Sequence, residues 1–439
     1  MKKSVVALLI VLAIVVLLSP AIVGRLAEQS MDANLDWAAT ESQEIVVTSQ
    51  GFDRGWFSSE GQHRIEIRQG GWQDMLLALA NSEDPADTPV LIIDTHLDHG
   101  LVPLTSMSRD EGTLMPGLGS AVSTLRVELA SGEIMPLPGA IYSDLGLTGA
   151  LRSRFVLEAG AHEFEGANAV WGDTAISFVS NTTSGALSFD GRVVSLALAA
   201  DNDFVEIDEI SFDGELRKSR FGFSVGDAEF ALQSMTVEGV ANDPVSFGPL
   251  AIDTHSNVDG DRVSGRTTVR LDDTPFAQYG RAGFAADVRL IDADGASLAK
   301  IIDAFDALQS GGNSDDFVFV VQDDLQRLFA RGLELHIDQL DLALSQGAIT
   351  SKVRLVVGET DADRFTWPAV LLALDASIDI SMPAELVNHL TTMDPQMHAA
   401  IAGGYLRKNG DVYEMQAAFK KGLLTVNGAP MPLPIPGLR

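Results

Sequence analysis

The sequence predicts a mainly β protein with a few helices (α+β), in which an elongated antiparallel sheet follows one N-terminal transmembrane helix. Three observations predict this fold class. An uncharged, aliphatic run opens the chain behind two lysines. Apolar residues then recur at alternate positions in many short segments, the period of a half-buried β-strand. Asp-Gly and Asn-Gly pairs lie beside several segments, and such pairs accept the positive φ angles of tight hairpins. An open sheet of this kind can also curve into a groove.

The first 24 residues are predicted to be the membrane anchor. Lys2 and Lys3 precede a run without charged residues at positions 4–24. As a helix this run is about 31 Å long, close to the ~30 Å hydrocarbon core of a bilayer. The lysines favour the cytoplasmic side, so the rest of the chain is expected on the opposite side of the membrane. A cleaved signal peptide is the alternative. If cleavage followed Gly24 at position −1, Ile22 would occupy position −3, where signal peptidase sites normally have a small residue, so this is a poor cleavage site.

The remaining chain is divided into three predicted parts. Residues 25–42 are a stalk or helix, and residues 43–309 a β-rich region on the far side of the membrane, which the resemblance described below places in the periplasm. Residues 317–439 are a second β-rich region with helices, a closing hairpin and a Pro-rich tail. The strands predicted from alternating apolar residues are 44–49, 64–68, 90–97, 124–129, 193–199, 234–240, 262–271, 283–291, 333–344, 349–357, 412–419 and 423–426.

Turns and helices are predicted from local signals. Four pairs predict turns: Asp190-Gly191, Asp213-Gly214, Asp259-Gly260 and Asn409-Gly410. The predicted helices are 296–308 behind the cap Asp294, 316–331, 383–393 and 394–403. The start of the second, at 317–321, is also compatible with a strand because it is β-branched and aromatic.

Composition excludes several classes of function. Thirty Lys plus Arg face 61 Asp plus Glu, a formal charge of −31, which repels nucleic acid phosphates. There is no cysteine, which removes disulfides, thiolate metal sites and a cysteine nucleophile. No phosphate-binding loop and no dinucleotide turn occurs in the sequence. We therefore predict no nucleic acid partner, no cofactor, no metal and no catalytic residue.

One histidine-rich segment invites a metal hypothesis. Asp94, His96 and His99 lie within six residues of each other. Strand alternation, however, puts His96 and His99 on opposite faces, so we favour a polar strand end over a metal site. The string Ile93-Asp94-Thr95-His96 recurs as Ile252-Asp253-Thr254-His255, a weak sign of internal duplication.

Three strings together resemble the YdgA-like family of bacterial envelope proteins, which is defined by a domain of unknown function. They are Arg54-Gly55-Trp56-Phe57-Ser58-Ser59-Glu60, His96-Leu97-Asp98-His99-Gly100, and the segment from Tyr413 to Gly428. The second string departs from the family pattern, which has Pro where this chain has Leu101. The resemblance implies an inner-membrane anchor, a periplasmic domain and a closing hairpin, but no established activity. The motif positions of unknown role are Arg54, Gly55, Trp56, Phe57, Ser58, His96, His99, Gly100, Gly422, Asn427 and Gly428.

Three functions stay open at the level of the sequence. The favoured one is a membrane-anchored, non-catalytic periplasmic protein that binds lipid or envelope components through a β-sheet surface. The second is an envelope assembly or scaffolding protein that acts by protein–protein contacts. The third is a hydrolase of envelope polymers that uses a pair of carboxylates, expected about 5–10 Å apart in a pocket. The sequence leaves the oligomeric state undetermined.

Overall fold

The computed structural model describes most of the chain beyond the N-terminus. The described residues are 45–55, 58–67, 73, 84–85, 88–99, 117–129, 132–164, 167–181, 183–200, 203–239, 242–275, 280–309, 314–361, 365–393 and 395–431. Within them the chain forms 23 strands and five helices, and the strands belong to one large antiparallel sheet. The prediction of a mainly β fold with a few helices is confirmed.

The predicted anchor at 1–24 and stalk at 25–42 lie outside the described residues. Among the residues that are described, no helix is both long and apolar enough to cross a membrane.

The strands are numbered in chain order. They are β1 (Ile45–Arg54), β2 (Ser58–Ile67), β3 (Val90–His99), β4 (Gly117–Glu128), β5 (Ile134–Gly146), β6 (Ala150–Leu157), β7 (Gly160–Phe164), β8 (Ala167–Trp171), β9 (Thr174–Asn181), β10 (Ala186–Ala200), β11 (Asp203–Lys218), β12 (Ser224–Gly239), β13 (Asn242–Phe247), β14 (Leu250–Asp259), β15 (Arg262–Pro275), β16 (Arg281–Asp294), β17 (Leu333–Leu344), β18 (Gly347–Val357), β19 (Leu374–Pro383), β20 (Arg407–Asn409), β21 (Val412–Lys420), β22 (Leu423–Val426) and β23 (Ala429–Met431). The helices are α1 (Gly295–Gln309), α2 (Ser314–Ala330), α3 (Trp367–Ala373), α4 (Ala384–Met393) and α5 (Pro395–Ala402).

The chain divides into two compact units. Unit 1 contains the described parts of Met1–His162, Val170–Ser195 and Asp213–Arg217. Unit 2 contains those of Glu163–Ala169, Leu196–Phe212 and Lys218–Arg439.

In unit 1, each of β1 to β5 pairs with the next strand in the chain, and β6 also pairs with β9. Its core is a cluster of Leu97, Ala121, Leu145 and Leu151 on neighbouring strands. These residues share one face because the register sets Leu97 opposite Ala121 and Leu145 opposite Leu151.

In unit 2, β14 to β19 form a run of antiparallel neighbours, flanked by β12 on one side and by β21, β22 and β23 on the other. Helices occupy the connections between these strands. The pair α1 and α2 links β16 to β17, and α3 links β18 to β19 at the same strand ends. The pair α4 and α5 lies between β19 and β21 at the opposite ends.

The helix predictions are confirmed, with small shifts. Asp294 caps α1 as predicted, because its Oδ2 accepts bonds from the Ser297 backbone N–H at 3.1 Å and from the Ser297 hydroxyl at 2.7 Å. The strand alternative at 317–321 is wrong, since α2 already begins at Ser314. Pro383 ends β19 instead of opening α4.

Two of the four predicted turns are confirmed. Asp259 pairs with Arg262, and Asn409 pairs with Val412, so each hairpin has a two-residue loop. Gly260 (φ 55°) opens the first of these loops and takes the positive φ that the turn requires.

The other two predicted turns are wrong. Asp190 and Gly191 lie inside β10, opposite Ser177 and Ile176 of β9. Asp213 and Gly214 lie inside β11. In β10 the ladder continues without interruption on both sides of the Asp-Gly pair, so strand pairing outweighs the local turn preference.

Candidate functional site

The first two motif strings lie side by side on β2 and β3 of unit 1. The backbone N–H of Gly55 donates to the Ser58 carbonyl at 2.7 Å, which closes the β1–β2 hairpin. Antiparallel register then sets Ser58 opposite Asp98 and Ser59 opposite Leu97. This β2–β3 register brings together two strings that lie about 40 residues apart in sequence.

One face of this strand pair is buried and polar. Ser59 Oγ lies 3.1 Å from His99 Nε2, and the two residues are only 1 % and 3 % exposed. His63, two positions further along the same face of β2, is 1 % exposed. A serine within hydrogen-bond reach of a histidine is the pairing of nucleophilic catalysis. Here the burial of Ser59 keeps a substrate carbonyl away from its Oγ.

The buried polar row continues across the neighbouring strands. Thr95 and Ser123 hydroxyls lie 2.7 Å apart, and Ser143 and Ser153 hydroxyls are separated by the same distance. All four residues are buried. Each hydroxyl satisfies another across the strands, so the row is a hydrogen-bonded lining beside the Leu97 cluster.

The opposite face of the pair is acidic and partly exposed, since His96 is exposed whereas Asp98 is only 6 % exposed. His96 Nε2 lies 3.3 Å from Asp98 Oδ1, and His96 Nδ1 lies 3.6 Å from Glu60 Oε1. His96 is exposed while His99 is buried, so the prediction that these histidines point apart is confirmed. No group of three or more His, Asp or Glu side chains suited to a metal occurs in the described part of the chain.

A groove of about 560 Å³ opens on this acidic face. Asp94, in its wall, accepts bonds from Arg126 Nε at 2.6 Å, Arg126 Nη2 at 2.9 Å and Gln62 Nε2 at 2.8 Å. The hydrogen bonds from Arg126 hold the pKa of the Asp94 carboxyl below its usual value. Asp94 is therefore kept ionised, which suits an ion pair better than the proton donor of a carboxylate hydrolase. Other residues lining the groove are Asp53, Glu60, His96 and Thr124.

Of the remaining motif positions in the first two strings, only Arg54 lies among the described residues. Arg54 is exposed at the end of β1. Trp56, Phe57 and Gly100 lie outside the described residues.

The third motif string belongs to unit 2 and builds two successive hairpins. Lys420 pairs with Leu423, and Val426 pairs with Ala429. All four loop residues have positive φ: Lys421 (51°), Gly422 (78°), Asn427 (48°) and Gly428 (80°). Both loops thus have the pattern of type I′ turns, and the predicted closing hairpin is confirmed.

Asn427 also joins two elements. Its Oδ1 accepts from the Gln416 backbone N–H at 2.9 Å, and its Nδ2 donates to the carbonyls of Gly404 at 2.8 Å and Tyr405 at 3.0 Å. The side chain ties the closing hairpin to the segment that follows α5. This position is explained by structure, without any ligand.

A larger feature that the motifs did not indicate is an aliphatic face on unit 2. The register of five adjacent strands forms a row of apolar residues that crosses the sheet. Its members are Val288, Ile337, Val353, Ile378 and Ala417. The next row holds Leu290, Leu335, Leu355, Ala376 and Phe419. We call the aliphatic side of β14–β19 and β21 the apolar face.

The reverse of these strands is charged. Arg266 forms a bidentate ion pair with Asp287, in which Nε donates to Oδ1 at 2.9 Å and Nη2 donates to Oδ2 at 2.7 Å. Arg289 Nε lies 2.5 Å from Asp338 Oδ2, and this hydrogen bond lowers the pKa of the Asp338 carboxyl. This charged side is therefore suited to contact with solvent, and the sheet is amphipathic.

Helices cover the apolar face at both ends. Leu328 of α2 packs with Ala293 and Leu333 at one end. Val387 of α4 packs with Leu406 and Tyr413 at the other. Side chains towards the middle of the strands keep more exposure, with Leu340 at 36 % and Ile378 at 37 %. The result is an aliphatic floor between two helical ends.

Residues 1–434 match the model of a protein family described as "Bacterial protein of unknown function (DUF945)". No curated protein and no solved structure matches the chain.

Proposed function

Since the chain belongs to the family of bacterial proteins of unknown function DUF945, whose description assigns no activity, we propose a function from the geometry of unit 2. The protein is a non-catalytic, membrane-anchored periplasmic protein that binds the acyl chains of lipids on its apolar face. The observation that carries this proposal is the half-exposed aliphatic floor between the helical ends.

The chemistry of the floor favours acyl chains over polar ligands. The row from Val288 to Ala417 contains only aliphatic side chains. A row of this kind offers no hydrogen bond to a sugar or peptide, but it removes methylene groups from water at about 0.8 kcal/mol each. A single chain of many methylenes would gain most from such a surface.

The location rests on the first residues of the sequence. Lys2 and Lys3 ahead of the uncharged run at 4–24 support an anchor with its N-terminus in the cytoplasm. The three motif strings support a YdgA-like assignment within the proposal. An anchor would keep the apolar face close to the lipids that it binds.

The experiment is photo-crosslinking in proteoliposomes. The full chain is reconstituted with a phospholipid that carries a diazirine on its acyl chain, and cross-linked peptides are mapped by mass spectrometry. We expect label in the strands of the apolar face as well as in the N-terminal run. Label confined to residues 1–24 would contradict the proposal.

A matched pair of variants tests the face itself. Ala417 is half-buried on the apolar face, while Ala418 is exposed on the reverse. Ala417→Trp should fill the floor and remove most of the label from these strands, whereas Ala418→Trp should leave it unchanged. Equal labelling of the two variants would show that acyl chains do not use this face.

A further inference from the structure

Helix α3 of unit 2 is apolar on every side, yet it lies at the surface. Its sequence, Trp367–Ala373, contains no polar side chain, and Val370 is its only buried residue. Trp367 is 51 % exposed and Leu372 is 63 % exposed. A helix that is hydrophobic all round is normally buried, so its exposure calls for a partner.

The exposed tryptophan is held in place. Thr366 caps α3 by accepting from the Ala369 backbone N–H at 3.4 Å. The Trp367 ring stands edge-on to Phe365, with centroids 5.1 Å apart, and lies 6.3 Å from the Phe329 ring. The aromatic surface is thus fixed in an exposed position by packing on one side.

The apolar surface extends onto the β21–β22 turn. A Cβ placed on Gly422 would lie 3.7 Å from Leu372 Cδ2, so the helix lies close to the turn. The next residue, Leu423, is 54 % exposed. Lys420 and Lys421 border the same turn, and both are exposed. We define the α3 patch as Trp367, Pro368, Leu372, Leu423, Lys420 and Lys421.

The charge at this patch is opposite to that of the whole protein. The chain carries a formal charge of −31 and has only eight lysines, two of which lie here. Asp375 is shared by two cations, Lys420 at 2.8 Å and Arg354 at 3.9 Å. Lys421 makes no ion pair with the residues that the structure describes. Cationic side chains therefore border an apolar surface on an otherwise acidic molecule.

We propose that the α3 patch docks on a membrane surface that contains anionic phospholipid. Exposed Trp and Leu side chains suit the boundary between headgroups and acyl chains, and lysines beside them suit phosphate groups. The charge complementarity selects this occupant over an uncharged apolar protein surface. This docking goes beyond the lipid binding proposed for the apolar face, because it uses different residues and a bilayer instead of single lipids.

The absence of cysteine allows a specific test in the full chain. Leu372→Cys and Leu423→Cys each provide one site for an environment-sensitive fluorophore, and Val237→Cys provides an exposed apolar control site in unit 2. The labelled chains are reconstituted in vesicles of phosphatidylglycerol with phosphatidylethanolamine, or of phosphatidylcholine alone. Doxyl-labelled lipids serve as quenchers.

We expect a blue shift and strong quenching at positions 372 and 423 in the anionic vesicles, and neither effect at position 237. Adding Lys421→Glu should remove most of the quenching at position 372, as should phosphatidylcholine vesicles.

Three outcomes would overturn the proposal. Emission that is unquenched at both patch positions excludes membrane contact. Quenching that is equal at position 237 shows only general proximity to the bilayer. A blue shift in detergent that grows with protein concentration identifies a second copy of the chain as the occupant. Cross-linking on the apolar face is a separate readout, so failure of one proposal leaves the other standing.

Discussion

Replacing Asn427 by Ala should loosen the closing hairpins of unit 2 by about 4 kcal/mol. The change removes three side-chain hydrogen bonds, to Gln416, Gly404 and Tyr405. At about 1 kcal/mol net for each bond, their loss costs about 3 kcal/mol. Asn427 also has φ 48°, a conformation that Ala adopts at an additional cost of about 1 kcal/mol.

Two further variants at position 427 separate the contribution of the hydrogen bonds from that of the positive φ angle. Asn427→Gly loses the same three bonds but accepts the positive φ, so it should cost about 1 kcal/mol less than Ala. Asn427→Asp keeps the acceptor for the Gln416 N–H but loses both donors, and it points a carboxylate at the carbonyls of Gly404 and Tyr405. It should therefore be no better than Gly.

Hydrogen exchange of the full chain, read by mass spectrometry, is the suitable assay, because it reports local opening. Peptides that cover 403–406 and 412–426 should exchange about 100- to 1,000-fold faster in Asn427→Ala, since each 1.4 kcal/mol is a factor of ten. Peptides of unit 1 are the internal control. Unchanged protection of these segments would refute the role assigned to the side chain, and equal effects of Ala and Gly would refute the contribution of φ.

Two other predictions concern unit 1. Because the pKa of Asp94 is lowered in the folded state, its ion pair with Arg126 stabilises the fold at pH values above the ordinary pKa of 3.8. This stabilisation is lost as the pH falls through the folded-state pKa. Arg126→Gln should therefore reduce the loss of stability in acid, which is measured as the urea midpoint of unfolding between pH 3 and 6. If Arg126→Gln lost as much stability between pH 6 and pH 3 as the unmodified protein, this reasoning would be contradicted. Leu97→Ala should lower the free energy of unfolding by about 2–5 kcal/mol in the same assay, because Leu97 is fully buried. The control Leu147→Ala, at a position 59 % exposed, should leave it almost unchanged. Similar losses of stability in the two variants would contradict the prediction.

The strand pattern was predictable where the alternation was strong. Strand β17 has the predicted bounds, 333–344, and its sequence contains one break in the period-two pattern, between Ile337 and Leu340. The structure has a register shift at the same place. The extra residue keeps the leucines on both sides of the break facing the same way, so this irregularity was already encoded in the order of apolar residues.

Local turn chemistry was a less reliable guide. Asn427-Gly428 forms a type I′ loop because both residues tolerate positive φ. Asp190-Gly191, with an equally good turn signal, continues through β10 because β9 pairs with residues on both sides of this dipeptide, from Ala186 to Val193. A dipeptide records what a turn would permit, and the neighbouring strand decides whether the chain turns.

The candidate sites were the least predictable part. The sequence singled out His96, His99 and Asn427, and the alternation correctly separated the two histidines. It did not indicate that Ser59 would lie 3.1 Å from His99, because that distance depends on the β2–β3 register across 40 residues. It also did not indicate α3, whose seven apolar residues could equally have been a buried strand.

By itself, the sequence determined the mainly β class, the positions of about half of the described strands and four of the five described helices, the closing hairpin and the acidic character, since these follow from local periodicity, φ preference and composition. Only the tertiary structure decided which strands are neighbours and in which register. Register aligned the aliphatic residues of β16 to β21 into one apolar face, joined two motif strings on β2 and β3, and left an apolar helix beside two lysines. These arrangements depend on pairing between distant segments, and the free energy of that pairing comes from the whole sheet, not from any one segment.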